Sequence, residues 1–262
     1  MILNDDSGLL YAVTHNLGGS VDIVVVSDGA GGFSCSKIAE WTYKLRLTDP
    51  EIGRNNLPRI RIGEMLNGAE VVGAREVFFL YEPDVEYTTN VTIVLTEWWD
   101  VPLVQYQLVK ILTRRSYDFV VVMLPTAETH GEHAAASLIA LEAVYTLPAA
   151  TRPLVIGGTN PGPYFGLPGF PITFAPQDPS FSFNRSTPIG DPVHKLDYTV
   201  IANTVISKHI SQGCLQTSLD DPPQIMEYYW YFDLNDPSRF AEAQKFFDIV
   251  NGTPYVEFIG CI

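Results

Sequence analysis

An apolar run that leads into two closely spaced histidines is the feature that most constrains this chain. Phe119 to Met123 is β-branched and aromatic enough for a strand buried on both faces, and Ala134 onward has helical composition and apolar spacing. Residues three apart at a helix start share one face, so His130 and His133 can both point into the crevice where open α/β sheets bind ligands. Such a pair also arises by chance at surface helix starts, which leaves a purely structural role open.

Earlier segments repeat the alternation of strand and helix. Val21–Val26 reads as a buried strand and Val77–Leu80 as a short one, while Pro58–Val72 and Val101–Arg115 have helical spacing. This order predicts a parallel sheet covered by helices on both faces. With 262 residues, 46% of them hydrophobic, the chain can bury a large core, and we expect residues 1–262 to form a single domain.

Charge and cysteine content limit the classes of function. A formal net charge of −14 and a pI near 4.6 disfavour nucleic acid and anionic membranes as partners, because such binding needs a basic surface. No run approaches the roughly 20 apolar residues of a membrane span, and no secretion leader opens the chain. Cys35, Cys214 and Cys261 are too few and too scattered for a disulfide framework. We therefore expect a cytoplasmic protein.

Acidic and glycine-rich turns contain further candidate functional residues. Asp5 and Asp6 precede a predicted helix; one of them would suffice as its N-cap, so the second needs another reason. Ser27 to Gly32 forms a glycine-rich turn after the first strand, but it matches neither dinucleotide nor Walker phosphate loops. A tight turn is the better interpretation, since Asp28 would repel phosphate. Arg61 lies one helical turn before a glutamate, usually a solvated ion pair.

The later part of the chain is less regular. From about 153 to 192 it is rich in glycine, proline and aromatic residues, which is typical of a lid or pocket wall. A helix is predicted over Lys195–His209. At its end, His209 and Gln212 are expected to have structural roles near the pocket, because a histidine at a helix end is commonly satisfied by local carbonyls.

Several motifs in a fixed order resemble the PIG-L/LmbE family of de-N-acetylases. They are Asp5-Asp6, VVVSDGAGG, the R-x-x-E helix ending at Gly73, T-H-G-E-H, and K-x6-A-x6-H-I-S-Q, which together span residues 3 to about 212. The resemblance implies an α/β fold, a three-layer Rossmann-like sandwich with a mostly parallel sheet. It also implies a zinc-dependent hydrolase that removes an acyl group, commonly acetyl, from the nitrogen of an amino sugar.

The resemblance also implies roles for individual residues. Asp5 would be the general base, Asp6 and His133 would bind zinc, and His130 would stabilise the oxyanion. Arg61 would reach toward the substrate. Zinc with three protein ligands keeps an open position for water and polarises a carbonyl, so the implied chemistry is coherent.

The chain departs from the family pattern at its start. Leu3 stands where the family has its first zinc-binding histidine, Asn4 replaces a proline, and Glu132 replaces the aspartate between the two histidines. Only three residues, Met1–Leu3, represent the family's first strand. The leading hypothesis is a zinc-dependent deacetylase acting on a small N-acetylglucosamine-like or related N-acyl substrate. The alternative is a catalytically inactive member that serves as a sugar-binding or interaction module.

Overall fold

The computed structural model describes residues 6–159, 179–189, 196–212 and 225–252. Its helices in these ranges are α1 (Ser7–Tyr11), α2 (Lys37–Tyr43), α3 (Pro50–Val71), α4 (Val91–Ile93), α5 (Val101–Arg114), α6 (Gly131–Thr146), α7 (Tyr198–Lys208) and α8 (Phe240–Gly252). Its strands are β1 (Asp22–Ser27), β2 (Glu76–Glu82), β3 (Phe119–Met123), β4 (Leu154–Thr159), β5 (Phe181–Asn184) and β6 (Met226–Tyr231). Helices α1 and α4 each continue into a π-helical turn.

The first four strands pair in parallel, and only β6 of the described strands runs in the opposite direction. β1 pairs with β2 and β3 with β4, both parallel, whereas β6 is antiparallel to β4 and to β5. In the described residues the strands form one sheet of order β1–β2 and another of order β3–β4–β6–β5. The predicted alternation of parallel strands and helices is confirmed through α6, and the chain has a Rossmann-like α/β fold.

Alternate residues of β1 show that helices cover both faces. Ile23 and Val25 pack against α3 and α7, whereas Val24 and Val26 pack against α5 and α6. Because successive strand side chains point to opposite faces, a strand with apolar residues at every position must lie between two layers. The uninterrupted apolar run in the sequence is therefore explained by this three-layer arrangement.

The two sheets meet along the edges of β1 and β3. Within the described ranges neither of these edges has a backbone partner, and Val24, Val26 and Val122 line a cavity of about 100 Å³ between them. At the amino ends of the strands, Asp22 links the two sheets. Its carboxylate accepts hydrogen bonds from the guanidinium of Arg75, just before β2, and from the hydroxyl of Tyr117, just before β3.

Helix α3 begins earlier than the sequence predicted. The prediction placed its start at Pro58, but the helix begins at Pro50 and runs through Pro58. Asp49 provides the reason, since its carboxylate accepts from the amides of Glu51 and Ile52 and caps a helix with proline in its first turn. Helix α5, predicted over Val101–Arg115, is confirmed to within one residue.

The segment expected to be irregular, about 153–192, contains two strands. Leu154–Thr159 is β4, in the core of the four-stranded sheet, and Phe181–Asn184 is β5 at its edge. Apolar side chains at the start of β4 are fully buried between layers, which outweighs the glycines that follow. The intervening residues 160–178, and 190–195, lie outside the described residues. Among the described helices, none combines the length and apolarity that crossing a bilayer requires.

Candidate functional site

Helix α6 carries both predicted histidines at its start, directly after the loop that follows β3. His130 is the N-cap of α6, and its Nδ1 accepts a hydrogen bond from the amide of Glu132 at 3.3 Å. The imidazole rings of His130 and His133 lie with centroids 5.2 Å apart. The predicted convergence of the two rings is therefore present at the carboxyl end of β3.

Burial keeps the imidazole of His133 neutral. Burial lowers the pKa of His133 to about 3, and the neighbouring His130 acts in the same direction. Burial also lowers the pKa of His130, although the Asp84 carboxylate opposes that shift. A neutral imidazole is the form that binds metal ions, so His133 is available as a ligand at neutral pH.

Glu132, between the two histidines, is a residue whose importance the sequence did not show. Its side chain is buried, and one carboxyl oxygen accepts from the amide of Val85 at 3.2 Å. Burial raises the pKa of Glu132 to about 8, helped by the nearby Asp84 carboxylate and opposed by the Val85 hydrogen bond. Glu132 therefore carries a proton at neutral pH, and it holds the loop after β2 against α6.

Arg61 connects the glycine-rich turn to the rest of the site. Its Nη1 donates to the carbonyls of Gly29 and Gly31, each at 2.7 Å, and its Nε donates to the hydroxyl of Ser211. The Asp84 carboxylate lies 3.6 Å from Nη1. Arg61 is thus a largely buried residue that holds the turn in place, and it is not half of a solvated pair.

Glu64, the other member of the R-x-x-E motif, anchors the end of α7. Its carboxylate accepts from the Ser211 amide at 2.9 Å, from the Ser211 hydroxyl at 2.6 Å and from the Tyr43 hydroxyl at 3.2 Å. Glu64 and Ser211 are both almost fully buried. The two charged residues of the motif therefore bind the same distant serine from two sides.

His209 and Gln212, at the end of α7, also line the site. His209 Nδ1 lies 3.0 Å from the Val205 carbonyl, which confirms the expected local interaction at a helix end. In the amide orientation that satisfies its neighbours, the Gln212 side-chain oxygen accepts from the Arg61 guanidinium. Both residues therefore contribute to the wall that Arg61 organises.

Asp6 does not act as the N-cap that the sequence suggested. It precedes α1, but no side-chain capping bond is present there. Its carboxylate lies over Gly158, where an added Cβ would be 2.6 Å from Asp6 Oδ1, and beside the side chain of Tyr229. Gly158 pairs with Met123, the last residue of β3. Asp6 is thus at the carboxyl edge of the sheet, as predicted, while Asp5 and Leu3 lie outside the described residues.

A cavity of about 410 Å³ opens beside the two histidines, Arg61 and the end of α7, and Asp6 is not among the residues that line it. Its lining combines both histidines and Arg61 with acidic side chains and an apolar wall, and comprises Val25, Ser27, Asp28, Gly29, Gly32, Ser34, Cys35, Arg61, Ile62, Met65, Phe79, Tyr81, Asp84, Tyr87, His130, Glu132, His133, His209 and Gln212. The cavity is large enough for a small molecule and brings Arg61 into the same space as His130 and His133.

Two exposed tyrosines stand at this cavity. Tyr87 packs edge-on against His130, with ring centroids 5.1 Å apart. Tyr81 has a backbone φ of +63°, a conformation that costs a non-glycine residue about 1–3 kcal/mol, and it occurs beside a register shift between β1 and β2. Neither tyrosine stands in a sequence pattern that indicates a functional site, because strands and loops commonly contain tyrosine.

Cys35, on the same wall, is disulfide-bonded. The count and spacing of the cysteines had predicted no disulfide framework and a reducing compartment. Disulfides persist mainly in oxidising compartments, so this bond is at odds with the expected cytoplasmic location. The spacing of the cysteines did not indicate this disulfide, because a single bond between distant cysteines has no sequence pattern.

The donor atoms of the site fit a metal ion in chemistry but not in number. Neutral His133 and the carboxylate of Asp6 are the ligand types that zinc prefers. Within the ranges that the structure describes, however, no group of three or more histidine, cysteine, aspartate or glutamate side chains is placed to hold a metal. Any further donor from Asp5 belongs to residues outside those ranges.

Comparisons with known proteins agree with this architecture. The sequence profile of the GlcNAc-PI de-N-acetylase (PIG-L) family matches residues 6–144, just over half of the chain. No curated protein sequence matches the chain significantly.

Solved structures of similar fold include enzymes of two kinds. The A40926 pseudoaglycone deacetylase Dbv21 is 14% identical, with 89% of this chain and 95% of that chain covered and a TM-score of 0.55. GalB, the 4-carboxy-2-hydroxymuconate hydratase from Pseudomonas putida KT2440, is also 14% identical. The match covers 88% of this chain and 90% of that chain, with a TM-score of 0.50. The N,N'-diacetylchitobiose deacetylase from Pyrococcus horikoshii is 16% identical. The match covers 87% of this chain and 79% of that chain, with a TM-score of 0.46. At these identities the likeness concerns the fold alone.

Proposed function

Because the chain belongs to the GlcNAc-PI de-N-acetylase (PIG-L) family, we propose that it is a zinc-dependent amide hydrolase. Its substrate would be a small amino sugar, N-acetylglucosamine-like, or a related N-acyl compound from which it removes the acetyl group. One observation carries this proposal beyond family membership. His133, neutral through burial, lies beside His130 on the wall of a cavity of small-molecule size.

The proposal assigns a role to each site residue. Asp6 and His133 bind the metal ion, and Asp5 acts as the general base that takes a proton from water. His130 stabilises the negative oxygen that develops as the amide carbonyl is attacked. Arg61 borders the substrate and keeps the glycine-rich turn in place through its bonds to the turn carbonyls. Zinc, when bound, supplies Lewis-acid polarisation of the amide carbonyl.

The inactive alternative also has an observation in its favour. Leu3, which has no donor atom, stands at the position of the family's first zinc-binding histidine. In the described residues, moreover, three metal-binding side chains do not converge. A protein of this kind would bind an amino sugar in the same cavity without hydrolysing it.

Zinc content and acetate release test the proposal directly. Purified wild-type protein should contain zinc and release acetate from N-acetylglucosamine-type substrates, and His133→Ala should lose the metal. His15→Ala is the matched control, because His15 is exposed and stacks on Tyr11. Asp5→Asn should keep zinc while lowering kcat by roughly 10²–10⁴, the usual contribution of a general base.

Leu3→His separates the two candidate functions. Restoring the missing histidine should strengthen zinc binding and raise hydrolysis if the cavity is otherwise competent. Wild-type protein that holds no zinc, releases no acetate and gains neither from Leu3→His would establish the inactive alternative. In that case N-acetylglucosamine binding, measured by calorimetry, becomes the readout of function.

The cellular location is also a proposal. Cysteine usage favoured the cytoplasm, whereas the Cys35 disulfide favours an oxidising compartment. Thiol titration of protein prepared without reductant distinguishes these two locations, since a cytoplasmic protein would show Cys35 as a free thiol.

A further inference from the structure

The start of α1 is capped by a glutamate more than two hundred residues away. Glu227, in β6, accepts hydrogen bonds from the amides of Gly8 at 3.0 Å and Leu9 at 3.1 Å. These amides belong to the first turn of α1, where no earlier carbonyl can serve as their acceptor. In the described residues, Glu227 therefore provides the helix cap that the side chain of Asp6 does not provide.

Two further donors complete the surroundings of this carboxylate. Arg185 Nε donates to Glu227 Oε1 at 2.7 Å, and the Tyr229 hydroxyl donates to Oε2 at 2.7 Å. Glu227 and Arg185 are both almost completely buried. Burial raises the pKa of Glu227, but the charge and hydrogen bond of Arg185 oppose that rise. A buried pair of this kind needs its remaining hydrogen-bonding capacity satisfied, and here four donors occupy the two carboxylate oxygens of Glu227.

The Tyr229 hydroxyl joins this network to Asp6. It donates its hydrogen to Glu227, and it also lies beside the Asp6 carboxylate. On its other side the Asp6 carboxylate rests on Gly158, where a side chain would collide with it. Gly8 is equally confined, because an added Cβ would lie 2.7 Å from Glu227 Oε1. Asp6 is thus confined by the backbone that follows it and by the residues around its carboxylate.

We propose that Glu227 and Tyr229 are the positioning residues of Asp6: Glu227 fixes the start of α1, and Tyr229 orients the carboxylate. The catalytic meaning of this role rests on the proposed function, in which Asp6 binds the metal. Both residues lie beyond 144, where the match to the family profile ends. The part of the chain outside that match therefore completes the site.

A simple structural role makes a different prediction from a positioning role. If the network only stabilises the fold, its loss should lower stability and leave metal affinity unchanged. If it positions Asp6, then removing the Tyr229 hydroxyl should weaken zinc binding, because partners that orient metal ligands typically contribute 10–100-fold to affinity.

Tyr229→Phe tests this, with Tyr231→Phe as the matched control. Tyr231 is on the same strand, but its hydroxyl donates to the Asp236 carbonyl near the surface. Zinc dissociation constants are measured by competition with a chelator, and melting temperatures are measured on metal-free protein. Tyr229→Phe should bind zinc 10–100-fold more weakly than Tyr231→Phe. Equal zinc affinity in the two variants would overturn the proposal.

A second measurement does not depend on metal binding. Glu227→Gln cannot accept from both helix amides, because one carboxylate oxygen becomes an NH₂ donor. Hydrogen exchange of the Gly8 and Leu9 amides, followed by NMR, should become at least about tenfold faster, the equivalent of one lost hydrogen bond. The exchange rates of Val104 and Leu108 in α5 serve as the internal reference.

The two measurements distinguish the possible failures. Wild-type protein that binds no zinc would refute the proposed function and leave the exchange measurement to decide the inference. Unchanged exchange at Gly8 and Leu9 in Glu227→Gln would then overturn it, and faster exchange confined to α1 would support it.

Discussion

Glu64 and Glu227 occupy equivalent situations on opposite sides of the site. Each is a buried glutamate that accepts hydrogen bonds from backbone amides far away in sequence: Ser211 for Glu64, and Gly8 and Leu9 for Glu227. They differ in their other partners. Glu227 is paired with the buried charge of Arg185, whereas the remaining hydrogen bonds of Glu64 come from neutral hydroxyl groups.

This difference indicates what each region can tolerate. Around Glu64 the loss of the carboxylate would leave unsatisfied neutral donors. The nearby cation of Arg61 would keep the carboxylates of Asp84 and Asp28. Around Glu227 the same loss would leave a guanidinium buried without its counter-charge, which is far more unfavourable. The four-stranded sheet, against which Asp6 rests, should therefore be the less tolerant of the two. The region around the glycine-rich turn should adjust more readily.

Glu227→Ala should produce the largest effect. Breaking a buried ion pair by removing one partner typically costs about 3–5 kcal/mol, and here two helix amides lose their acceptor as well. The free energy of unfolding, measured by urea denaturation, should fall by that amount.

The paired variant Glu227→Met with Arg185→Met shows whether the charge is responsible. Since no buried charge remains, it should be more stable than Glu227→Ala. A cost below about 1 kcal/mol for Glu227→Ala alone would mean that the comparison with Glu64 has no energetic basis.

Glu64→Leu should have a smaller effect. The Ser211 amide and the Tyr43 hydroxyl lose their acceptor, and a buried unsatisfied donor costs about 1–3 kcal/mol. Arg61 keeps its bonds to the glycine-rich turn and its proximity to Asp84. Tyr43→Phe, which removes one donor and leaves the carboxylate in place, should cost about 0.5–1.5 kcal/mol. If Glu64→Leu destabilised the protein as much as Glu227→Ala, the two regions would be equivalent after all.

Asp22, which joins the two sheets, should give the smallest and most pH-dependent effect. Burial alone would raise the pKa of Asp22, but hydrogen bonds from Arg75 and Tyr117 outweigh it, so that the pKa is lowered. A carboxylate with a lowered pKa stabilises the fold above its unfolded value of about 4, and this stability is lost as the pH falls through the folded value.

Comparing wild type with Asp22→Asn at two pH values measures this contribution. The variant should be less stable by about 1 kcal/mol at pH 7, because Arg75 is partly exposed and screened by water. The difference should shrink at pH 3. A difference that stayed constant between pH 7 and pH 3 would show that the charge of Asp22 does not tie the sheets together.

Local patterns in the sequence predicted the elements that depend on local physics. The apolar runs of β1 and β3 identified buried strands, and the strand-to-helix junction placed His130 and His133 side by side. Helix α3 was shortened in the prediction because two prolines obscured its start, although the Asp49 cap at that start has a recognisable sequence pattern.

What the sequence could not predict depends on contacts between distant residues. Glu227 contacts Gly8 across a separation of 219 residues, and Glu64 contacts Ser211 across 147. Glu227 stands in no pattern that distinguishes it from a solvent-exposed glutamate, and the R-x-x-E motif that contains Glu64 did not indicate its burial. Arg61 and Glu64 were interpreted as a solvated pair for the same reason, since burial in this protein is decided by the segments that cover them.

The N-cap of α6 determines which nitrogen of His130 carries the proton. Nδ1 accepts from the Glu132 amide, so it has no hydrogen of its own, and in the neutral ring the hydrogen is on Nε2. The helix start therefore selects one tautomer of the imidazole and leaves an N–H donor on the far side of the ring. A developing oxyanion needs a donor of that kind, and His130 can provide it without first acquiring a second proton.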